Sequence, residues 1–222
     1  MESVNLKALT KTEIFAGATE EEVSSMLNCL SAKKKYQKDE IIFHAGDIVS
    51  SIGVMLKGNA LIENDDIWGN RSVLDYVKEG QIFAETYACA LDEKLMVNVI
   101  AMSDCEVLFL DVRKILKVCP NACEFHQNQV QNLLVISAQK NLNLSRRIFH
   151  TSSKTIRGRL LSYLSYQAME REKEEFDIPY NRQQLVDYLG VDRSAMSNEL
   201  GKMQKDGLIE VKRNHFRILD VD

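Results

Sequence analysis

The amino-acid sequence predicts an α+β protein in three parts: an N-terminal antiparallel β-roll, one long helix, and a C-terminal unit of short helices with a β-hairpin. Three observations predict this order. Short runs of alternating apolar residues fill 35–111, an uninterrupted helical pattern covers 121–151, and capped helical segments follow in 152–222. We therefore predict domain limits at 1–120, 121–151 and 152–222.

The β-roll is predicted from period-two alternation, which is typical of half-buried strands. Helical segments precede it, and Thr19 followed by Glu20 to Glu22 indicates a helix N-cap with acids in the first turn. Glycines punctuate the alternating runs, which favours a roll of about eight strands. The predicted strands are Glu40–Phe43, Ile52–Leu56, Ala60–Ile62, Ser72–Val77, Val97–Ala101 and Val107–Leu110.

A long dimerisation helix is predicted next, because no proline or glycine interrupts Asn121 to Thr151. Residues along it recur at spacings of 4, 3, 4, 3 and 4, the a/d seam of a coiled coil. A second copy of the chain would cover this seam, and a helix packed only along the roll is the alternative. Two polar seam positions would set the register or meet a ligand. The seam is Val130, Leu134, Ser137, Asn141, Leu144 and Ile148.

A polar break follows the long helix, and Ser152 or Ser153 is expected to cap the next helix. That helix carries Leu160 and Leu164 on one face. The charged tract Glu170–Glu175 is interpreted as a solvated helix end or loop.

A winged helix–turn–helix is predicted at the C-terminus. Asn181 followed by Gln184 predicts a capping box at the start of a first helix, Arg182–Leu189. Gly190 suits the turn after it, because glycine adopts positive φ at little cost.

The second helix and a β-hairpin complete this unit. Asp192 is placed to cap a helix from Arg193 to about Lys205. Ile209–Val211 and Phe216–Ile218 alternate on either side of the basic turn Lys212–Asn214, which predicts a small wing.

The chemistry of the second helix predicts contacts with double-stranded DNA. Its N-terminal end is the part of a helix–turn–helix that enters the major groove. Arg193 can bond a guanine edge with two hydrogen bonds, and Asn198 can pair with adenine. Ser194 and Ser197 can contact bases or phosphate. Phosphate contacts are predicted for three basic residues, Arg182, Lys212 and Arg213.

Charge is unevenly distributed along the chain, whose formal net charge is −4. Residues 1–144 hold 14 Lys/Arg and 20 Asp/Glu, a net charge of −6. Residues 145–222 hold 14 Lys/Arg and 12 Asp/Glu, a net charge of +2. This asymmetry supports a division into one domain that binds DNA and one that does not.

Composition predicts a soluble cytoplasmic protein, with 45% hydrophobic and 27% charged residues. No run reaches the roughly 18 apolar residues of a membrane span, and the N-terminus lacks the pattern of a signal peptide. Metal or cluster binding is not expected, because the five cysteines are scattered and the single close pair has C-x-x-x-C spacing. The cysteines are Cys29, Cys89, Cys105, Cys119 and Cys123.

Roll, long helix and winged helix–turn–helix in this order resemble the Crp/Fnr family of bacterial transcription regulators. The resemblance covers nearly the whole chain, and its carriers are Gly46-Asp47, Lys57-Gly58, Glu79-Gly80, Ala84-Glu85, Arg157-Gly158-Arg159 and Asn181–Ile209. It implies a homodimer on pseudopalindromic DNA, a cyclic-nucleotide-binding-like sensor, and contact with RNA polymerase if the protein is an activator. It also implies that the effector repositions the recognition helices through a hinge near Thr151–Lys154.

The effector pocket implied by the resemblance diverges from that of cyclic-AMP-binding members. Those members use a Gly-Glu pair for the ribose and a later Arg-Ser pair for the cyclic phosphate. Here Ala84-Glu85 keeps the acid, but the Arg-Ser positions fall on Leu95-Met96. Burying an unpaired phosphate would cost several kcal/mol, so cyclic AMP is disfavoured. The implied pocket is Ala84, Glu85, Leu95, Met96, Val97, Leu144 and Ser145.

The cofactor and the effector stay unknown at this level. An iron–sulfur cluster like that of the oxygen-sensing branch needs about four thiolates near the N-terminus, and only Cys29 lies in the first 88 residues. Haem stays open through His44, His126 and His150. A small apolar or amphipathic ligand, or none, fits the pocket residues better than an anion. Asn198 stands where many members carry arginine, so the operator cannot be copied from a relative.

Two function classes compete at the sequence level, and a third is disfavoured. The favoured one is a homodimeric, sequence-specific DNA-binding transcription regulator. The alternative is a small-ligand- or cyclic-nucleotide-binding signalling module without specific DNA binding. An enzyme is not expected, because the chain has no Ser-His-Asp order and no zinc-protease or P-loop motif.

Overall fold

The structure is a computed structural model that describes residues 5–69, 71–90, 92–116 and 124–219. The chain divides into two compact units, Met1–Lys140 and Asn141–Asp222. This division falls inside the long helix, and the predicted domain limits at 120/121 and 151/152 stay predictions. No helix among the described residues is long and apolar enough to cross a membrane.

The first unit is built around eight strands within its described residues. They are β1 (Ser31–Tyr36), β2 (Ile41–Phe43), β3 (Ser51–Lys57), β4 (Ala60–Asp65), β5 (Arg71–Val77), β6 (Ile82–Phe83), β7 (Asn98–Ala101) and β8 (Cys105–Asp111). Two four-stranded sheets form, in the orders β1-β8-β3-β6 and β2-β7-β4-β5. Neighbouring strands pair antiparallel, which confirms the predicted β-roll.

Along the chain, helices precede the strands of the roll, occur once between them, and follow them. They are α1 (Leu6–Leu9), α2 (Glu20–Leu30), α3 (Glu85–Cys89), α4 (Val112–Leu116) and α5 (Glu124–Thr151), with a 3₁₀ turn at Glu13–Phe15. The predicted cap of α2 is present, because Thr19 Oγ1 accepts the Glu22 N–H and Glu22 Oε2 accepts the Thr19 N–H at 2.8 Å. The predicted helix start at Asn121 lies outside the described residues.

Strand β3 is buried because both of its faces are covered. Ile52 and Val54 pack in one apolar cluster with Leu133 and Ile136 of α5. Met55 packs in a second cluster, between the sheets of the roll. Gly53 lies under the Phe83 ring, where a Cβ atom would come within 2.2 Å of a ring carbon, so only glycine fits.

The second unit contains three helices after the end of α5, and a small sheet. Its elements are α6 (Ile156–Arg171), β9 (Glu175–Asp177), α7 (Arg182–Leu189), α8 (Arg193–Lys205), β10 (Ile209–Lys212) and β11 (His215–Ile218). The strands form one antiparallel sheet in the order β10-β11-β9. Its core is made of Leu160, Leu164, Leu185, Leu189, Met196, Leu200, Met203 and Phe216. The winged helix–turn–helix is confirmed, and α7 and α8 have the predicted bounds.

The predicted cap of α6 was wrong. Thr155 is the N-cap, and its Oγ1 accepts the Gly158 N–H at 3.0 Å. Ser152 instead donates to the Phe149 carbonyl at 2.8 Å, at the end of α5. Ser153 accepts the Thr155 N–H at 3.3 Å, so the two serines complete the break between helices.

Three strands had no sequence signal strong enough to be predicted in full. β1 is rich in lysine because it lies at a sheet edge, where Lys33 pairs with Glu106 at 2.7 Å. β6 has only two residues. The interpretation of Glu170–Glu175 as helix end or loop was wrong at its last residue, because Glu175 starts β9 and pairs with Arg217.

Candidate nucleic-acid interface and sensor site

The helix–turn–helix is held by three local devices. At the start of α7, Asn181 Oδ1 accepts the Gln184 N–H at 2.9 Å and Gln184 Oε1 accepts the Asn181 N–H at 3.0 Å. Gly190 follows α7 in the left-handed region with φ 61°. Asp192 Oδ1 then accepts the Ala195 N–H at 2.8 Å and begins α8. These bonds use backbone groups that the helix ends leave unpaired, so the start of each helix is fixed by residues next to it in the chain.

The four residues predicted to read bases lie together on the first half of α8. Arg193, Ser194, Ser197 and Asn198 are all exposed, while Met196 and Leu200 are buried in the core. The apolar side of α8 therefore anchors the helix and leaves its polar side exposed to solvent.

An acid beside this polar surface is neutralised by α6. Glu199 Oε1 pairs with Arg157 Nε at 2.6 Å, and Arg157 Nη2 reaches Asp206 Oδ2 at 2.7 Å. The hydrogen bond from Arg157 lowers the pKa of Glu199. Arg157 thereby holds the middle and the C-terminal end of α8 and offsets carboxylate charge that would repel phosphate.

Two arginines hold the end of α7 and the turn that follows it. Arg159 Nη1 donates to the carbonyls of Leu189 and Gly190 at 2.9 and 3.0 Å, and its Nε donates to the Ser153 carbonyl at 2.9 Å. Arg147, near the end of α5, donates to the carbonyls of Asp187 and Tyr188. Arg159 thus links the segment between α5 and α6, where the hinge was predicted, to the turn of the helix–turn–helix.

The three predicted phosphate contacts have different surroundings. Lys212 and Arg213 are exposed at the tip of the wing, where Arg213 has φ 58°. Arg182 is only half-exposed, with its guanidinium 5.6 Å from the centre of the Phe216 ring. Its Nη1 is buried without a hydrogen-bond partner, and burial lowers the pKa of Arg182. Arg182 therefore offers phosphate fewer N–H groups than a fully exposed arginine.

In the sensor unit, the carboxylate of Glu85 is already paired. Lys140 Nζ of α5 lies 2.8 Å from Glu85 Oε1 and also donates to the Ile82 carbonyl at 2.8 Å. Glu85 is buried, and its Oε2 has no hydrogen-bond partner. Ala84, just before it, has φ 63°, a conformation that costs an alanine energy.

The positions of the missing Arg-Ser pair are apolar and their backbone is occupied. Leu95 is buried, and its N–H donates to the Asp47 carbonyl at 2.9 Å. The Met96 N–H points to the Tyr87 hydroxyl at 3.4 Å, while its side chain is exposed. Val97 is buried. Leu144 and Ser145, the other predicted pocket residues, are exposed on α5 in the second unit.

Helix α5 packs on the roll through a seam that is offset by one residue from the predicted dimer seam. Gln129, Leu133 and Ile136 are buried, and Lys140 continues this face. The predicted seam is left largely open, since Leu134 is 68% exposed and Ile148 is 69% exposed. Val130, Asn141 and Leu144 are exposed as well, and Ser137 is half-buried.

Within the described residues, the histidines and cysteines indicate no metal site. No group of three or more His, Cys, Asp or Glu side chains there is arranged to hold a metal ion. Cys105 is buried and Cys89 is half-buried, and both are free thiols. The side chains of Cys29, Cys119, Cys123 and His126 lie outside the described residues. His150 is buried in an aromatic cluster, with Nδ1 2.8 Å from the Tyr188 hydroxyl.

Family models match both units. Residues 33–121 match the cyclic nucleotide-binding domain, and residues 158–222 match the Crp-like helix-turn-helix domain. The chain belongs to the Crp/Fnr family of transcription regulators. It is a regulator with a sensor domain and a helix–turn–helix DNA-binding domain, and the family is not one of enzymes.

The relatives are distant in sequence, and the alignments with them cover most of both chains. The chain is 23% identical to electron transport regulator A of Shewanella oneidensis over 213 residues, which cover 90% of this chain and 79% of that protein. It is 21% identical to the cAMP-activated global transcriptional regulator CRP of Haemophilus influenzae over 182 residues, covering 79% and 78% of the two chains. Its fold is similar to that of the c-di-GMP-responsive global regulator CLP of Xanthomonas campestris, with a TM-score of 0.63, 16% identity, and coverage of 91% and 100%.

Sequence reasoning missed the residues that act through distant partners. In the sequence, Lys140 cannot be distinguished from any other lysine on a helix, because its partner Glu85 lies 55 positions away in the chain. Arg157 and Arg159 were noted for the family resemblance, but their partners on α7 and α8 are 30 or more residues away. No local pattern could have revealed these contacts.

Proposed function

We propose that this regulator binds a pseudopalindromic double-stranded DNA site as a homodimer and reads it with Arg193, Ser194, Ser197 and Asn198. The observation that carries the proposal is the exposed polar surface of α8, on a helix whose apolar side is fully anchored. Arg193 would read guanine, and Asn198 would read adenine. Lys212, Arg213 and the remaining N–H groups of Arg182 would contact phosphate, which adds affinity without reading sequence.

The homodimer proposal rests on the exposed apolar residues of α5. An apolar seam of this length costs free energy when water covers it, and a second α5 would remove it from water. Burial of the neighbouring seam against the roll leaves the proposed dimer seam available. Two half-sites about one helical turn apart follow from this symmetry.

The sensor proposal is that cyclic AMP is not the effector. Leu95 and Met96 supply no cation, and their backbone N–H groups are already paired. Glu85 is paired with Lys140 and would have to exchange that partner for a ribose. A neutral or amphipathic ligand, or no ligand, fits these residues better than a phosphate.

The protein acts where chromosomal DNA is, so we place it in the cytoplasm. If it activates transcription, contact with RNA polymerase is part of its role.

Binding selection on genomic DNA followed by footprinting tests the proposed function. We expect a two-fold-related site and affinity that falls steeply as salt increases. Binding with no sequence preference and no salt dependence would overturn the proposal, and would favour a signalling module whose winged helix contacts protein.

Two variants separate base reading from phosphate contact. Arg193→Ala should cost about 1–3 kcal/mol of binding free energy and relax specificity at one base-pair position. Arg182→Ala should weaken binding evenly across sequences. Equal loss of specificity in both variants would contradict these roles.

A further inference from the structure

The hydroxyl of Ser194 makes a hydrogen bond within the protein itself, in the absence of DNA. Ser194 Oγ lies 2.5 Å from Asp192 Oδ1, and the same oxygen accepts the Ala195 N–H at 2.8 Å. Asp192 is the N-cap of α8, so this bond is built into the start of the recognition helix.

The direction of this hydrogen bond is set by the charge of Asp192. Hydrogen bonds from the Ser194 hydroxyl and from backbone N–H groups lower the pKa of Asp192, so the carboxyl carries no proton at neutral pH. An ionised carboxylate can only accept hydrogen bonds. The Ser194 hydroxyl must therefore be the donor.

A serine hydroxyl has one proton and two lone pairs. With the proton pointing to Asp192, only the lone pairs of Ser194 are left for another partner. Ser194 is exposed and is the second residue of α8, next to Arg193. The N-terminal residues of a recognition helix are those that meet base edges in the major groove.

Only two groups donate hydrogen bonds in the major groove: N6 of adenine and N4 of cytosine. Guanine presents N7 and O6 and thymine presents O4, all of which are acceptors. We infer that Ser194 is an acceptor-only reader, which the Asp192 carboxylate directs toward the exocyclic amine of an adenine or cytosine. The inference rests on the proposed DNA-reading role and names the base chemistry that one residue selects.

Ser197 provides a matched comparison on the same helix. It is also exposed, and within the part of the chain that the structure describes its hydroxyl has no hydrogen-bond partner. Ser197 can therefore donate or accept, and it has no reason to prefer an amine over a carbonyl. Two serines three positions apart thus differ in base preference because one belongs to a cap.

The test uses the full-length protein and the DNA site found by selection. At one position in each half-site, we expect adenine or cytosine to be preferred over guanine or thymine on the same strand. Replacing that base by an analogue that lacks only the exocyclic amine should weaken binding by the wild-type protein by about threefold to tenfold.

Three variants complete the test. Ser194→Ala should bind more weakly but show no further loss with the amine-free base, whereas Ser197→Ala should keep the full loss. Asp192→Gly removes the oxygen that accepts the Ser194 proton at only a small cost to the helix cap, so the preference for adenine or cytosine should shrink by at least half. Thermal unfolding of each variant checks folding, and the loss caused by the amine-free base is read within each variant, so a general loss of affinity cancels.

The outcomes separate the inference from the proposed function. Absence of any sequence-specific site would overturn both. A specific site with guanine or thymine preferred at the Ser194 position would overturn only the inference. An amine dependence that survives in Ser194→Ala, or that is unchanged in Asp192→Gly, would overturn it as well.

Discussion

The DNA-binding unit and the sensor unit place their charged side chains in opposite ways. In the former, Arg193 and the wing residues Lys212 and Arg213 are exposed, and local caps hold the scaffold beneath them. In the latter, Glu85 is buried and its partner Lys140 comes from a distant part of the chain. The first arrangement offers charge to a ligand, whereas the second satisfies charge internally.

This difference predicts which unit tolerates substitution of its charged residues. A reading surface can change its exposed residues at little cost, because surface substitutions rarely alter stability by more than about 0.5 kcal/mol. A buried acid, in contrast, depends on its partner, because removing the cation beside it leaves a charge away from water. Lys140 is that cation for Glu85.

The largest effect that would sharpen this comparison is expected for Lys140→Met. It leaves the buried Glu85 carboxylate without a cation, and we expect the free energy of unfolding to fall by about 2 kcal/mol, reduced from the usual value because Lys140 is 38% exposed. The matched variant Glu85→Gln leaves only a partly exposed lysine and should cost less than half as much. Urea denaturation of both measures the difference, and equal losses would contradict an internally satisfied Glu85.

A somewhat smaller effect is expected for Arg159→Lys in the DNA-binding unit. A lysine cannot reach the hinge carbonyl and the two turn carbonyls together, so stability should fall by about 1.5 kcal/mol. DNA affinity, measured by fluorescence anisotropy, should fall because the turn before α8 is loosened. Arg217→Lys, which changes an exposed pair with Glu210, is the control and should alter both quantities little. A normal affinity in Arg159→Lys would mean that the hinge and the turn are not linked through this side chain.

The local scaffold can be tested with Asn181→Ala. Loss of the side-chain cap of α7 should lower the free energy of unfolding by about 1 kcal/mol. Asn181→Ser keeps a capping oxygen and should recover most of that loss. If serine proved no better than alanine in thermal unfolding, the cap would not be what holds α7.

The smallest effects concern two histidines of the second unit, whose pKa values shift in opposite directions. Hydrogen bonds to Glu175 and Asp177 raise the pKa of His215 above 6.5. Its stabilising contribution is therefore complete below pH 6.5 and is lost as the pH rises through the raised value. Burial, assisted by Arg146, lowers the pKa of His150 below 6.5. Its contribution is present above pH 6.5 and is lost as the pH falls toward the lowered value.

Proton NMR of the two imidazoles measures both values directly. His215 should titrate above the ordinary range and His150 below it. His215→Gln should then destabilise the wing more at pH 6 than at pH 8. A pKa of His150 at or above 6.5 would contradict the expected effect of its burial.

In the second unit, the bounds of α7 and α8 could be predicted from the sequence, for a physical reason. Its helix ends depend on bonds between residues three positions apart, as in Asn181 with Gln184 and Asp192 with Ala195. Such bonds are visible in a short stretch of sequence. The cap of α6 shows the limit, because Ser152, Ser153 and Thr155 are all chemically able to cap and only the path of the chain decides among them.

The predicted effector pocket fared differently, because its members depend on packing between distant segments. Glu85 was predicted as a pocket acid, yet the sequence contains no sign that Lys140 would pair with it. The α5 seam had a similar ambiguity. Heptad spacing identified an apolar stripe, but the neighbouring stripe with Leu133 and Ile136 proved to be the one that packs on the roll.

The sequence by itself determined the order of roll, long helix and winged helix–turn–helix, together with the family, because alternation, capping and glycine positions are short-range signals. Only the tertiary structure decided which charges are available to a ligand. Arg182 is drawn onto Phe216, Glu199 is held by Arg157, and Glu85 is held by Lys140. Each of these pairings joins residues more than 30 positions apart, where the folded path of the chain, and not local spacing, sets the distance.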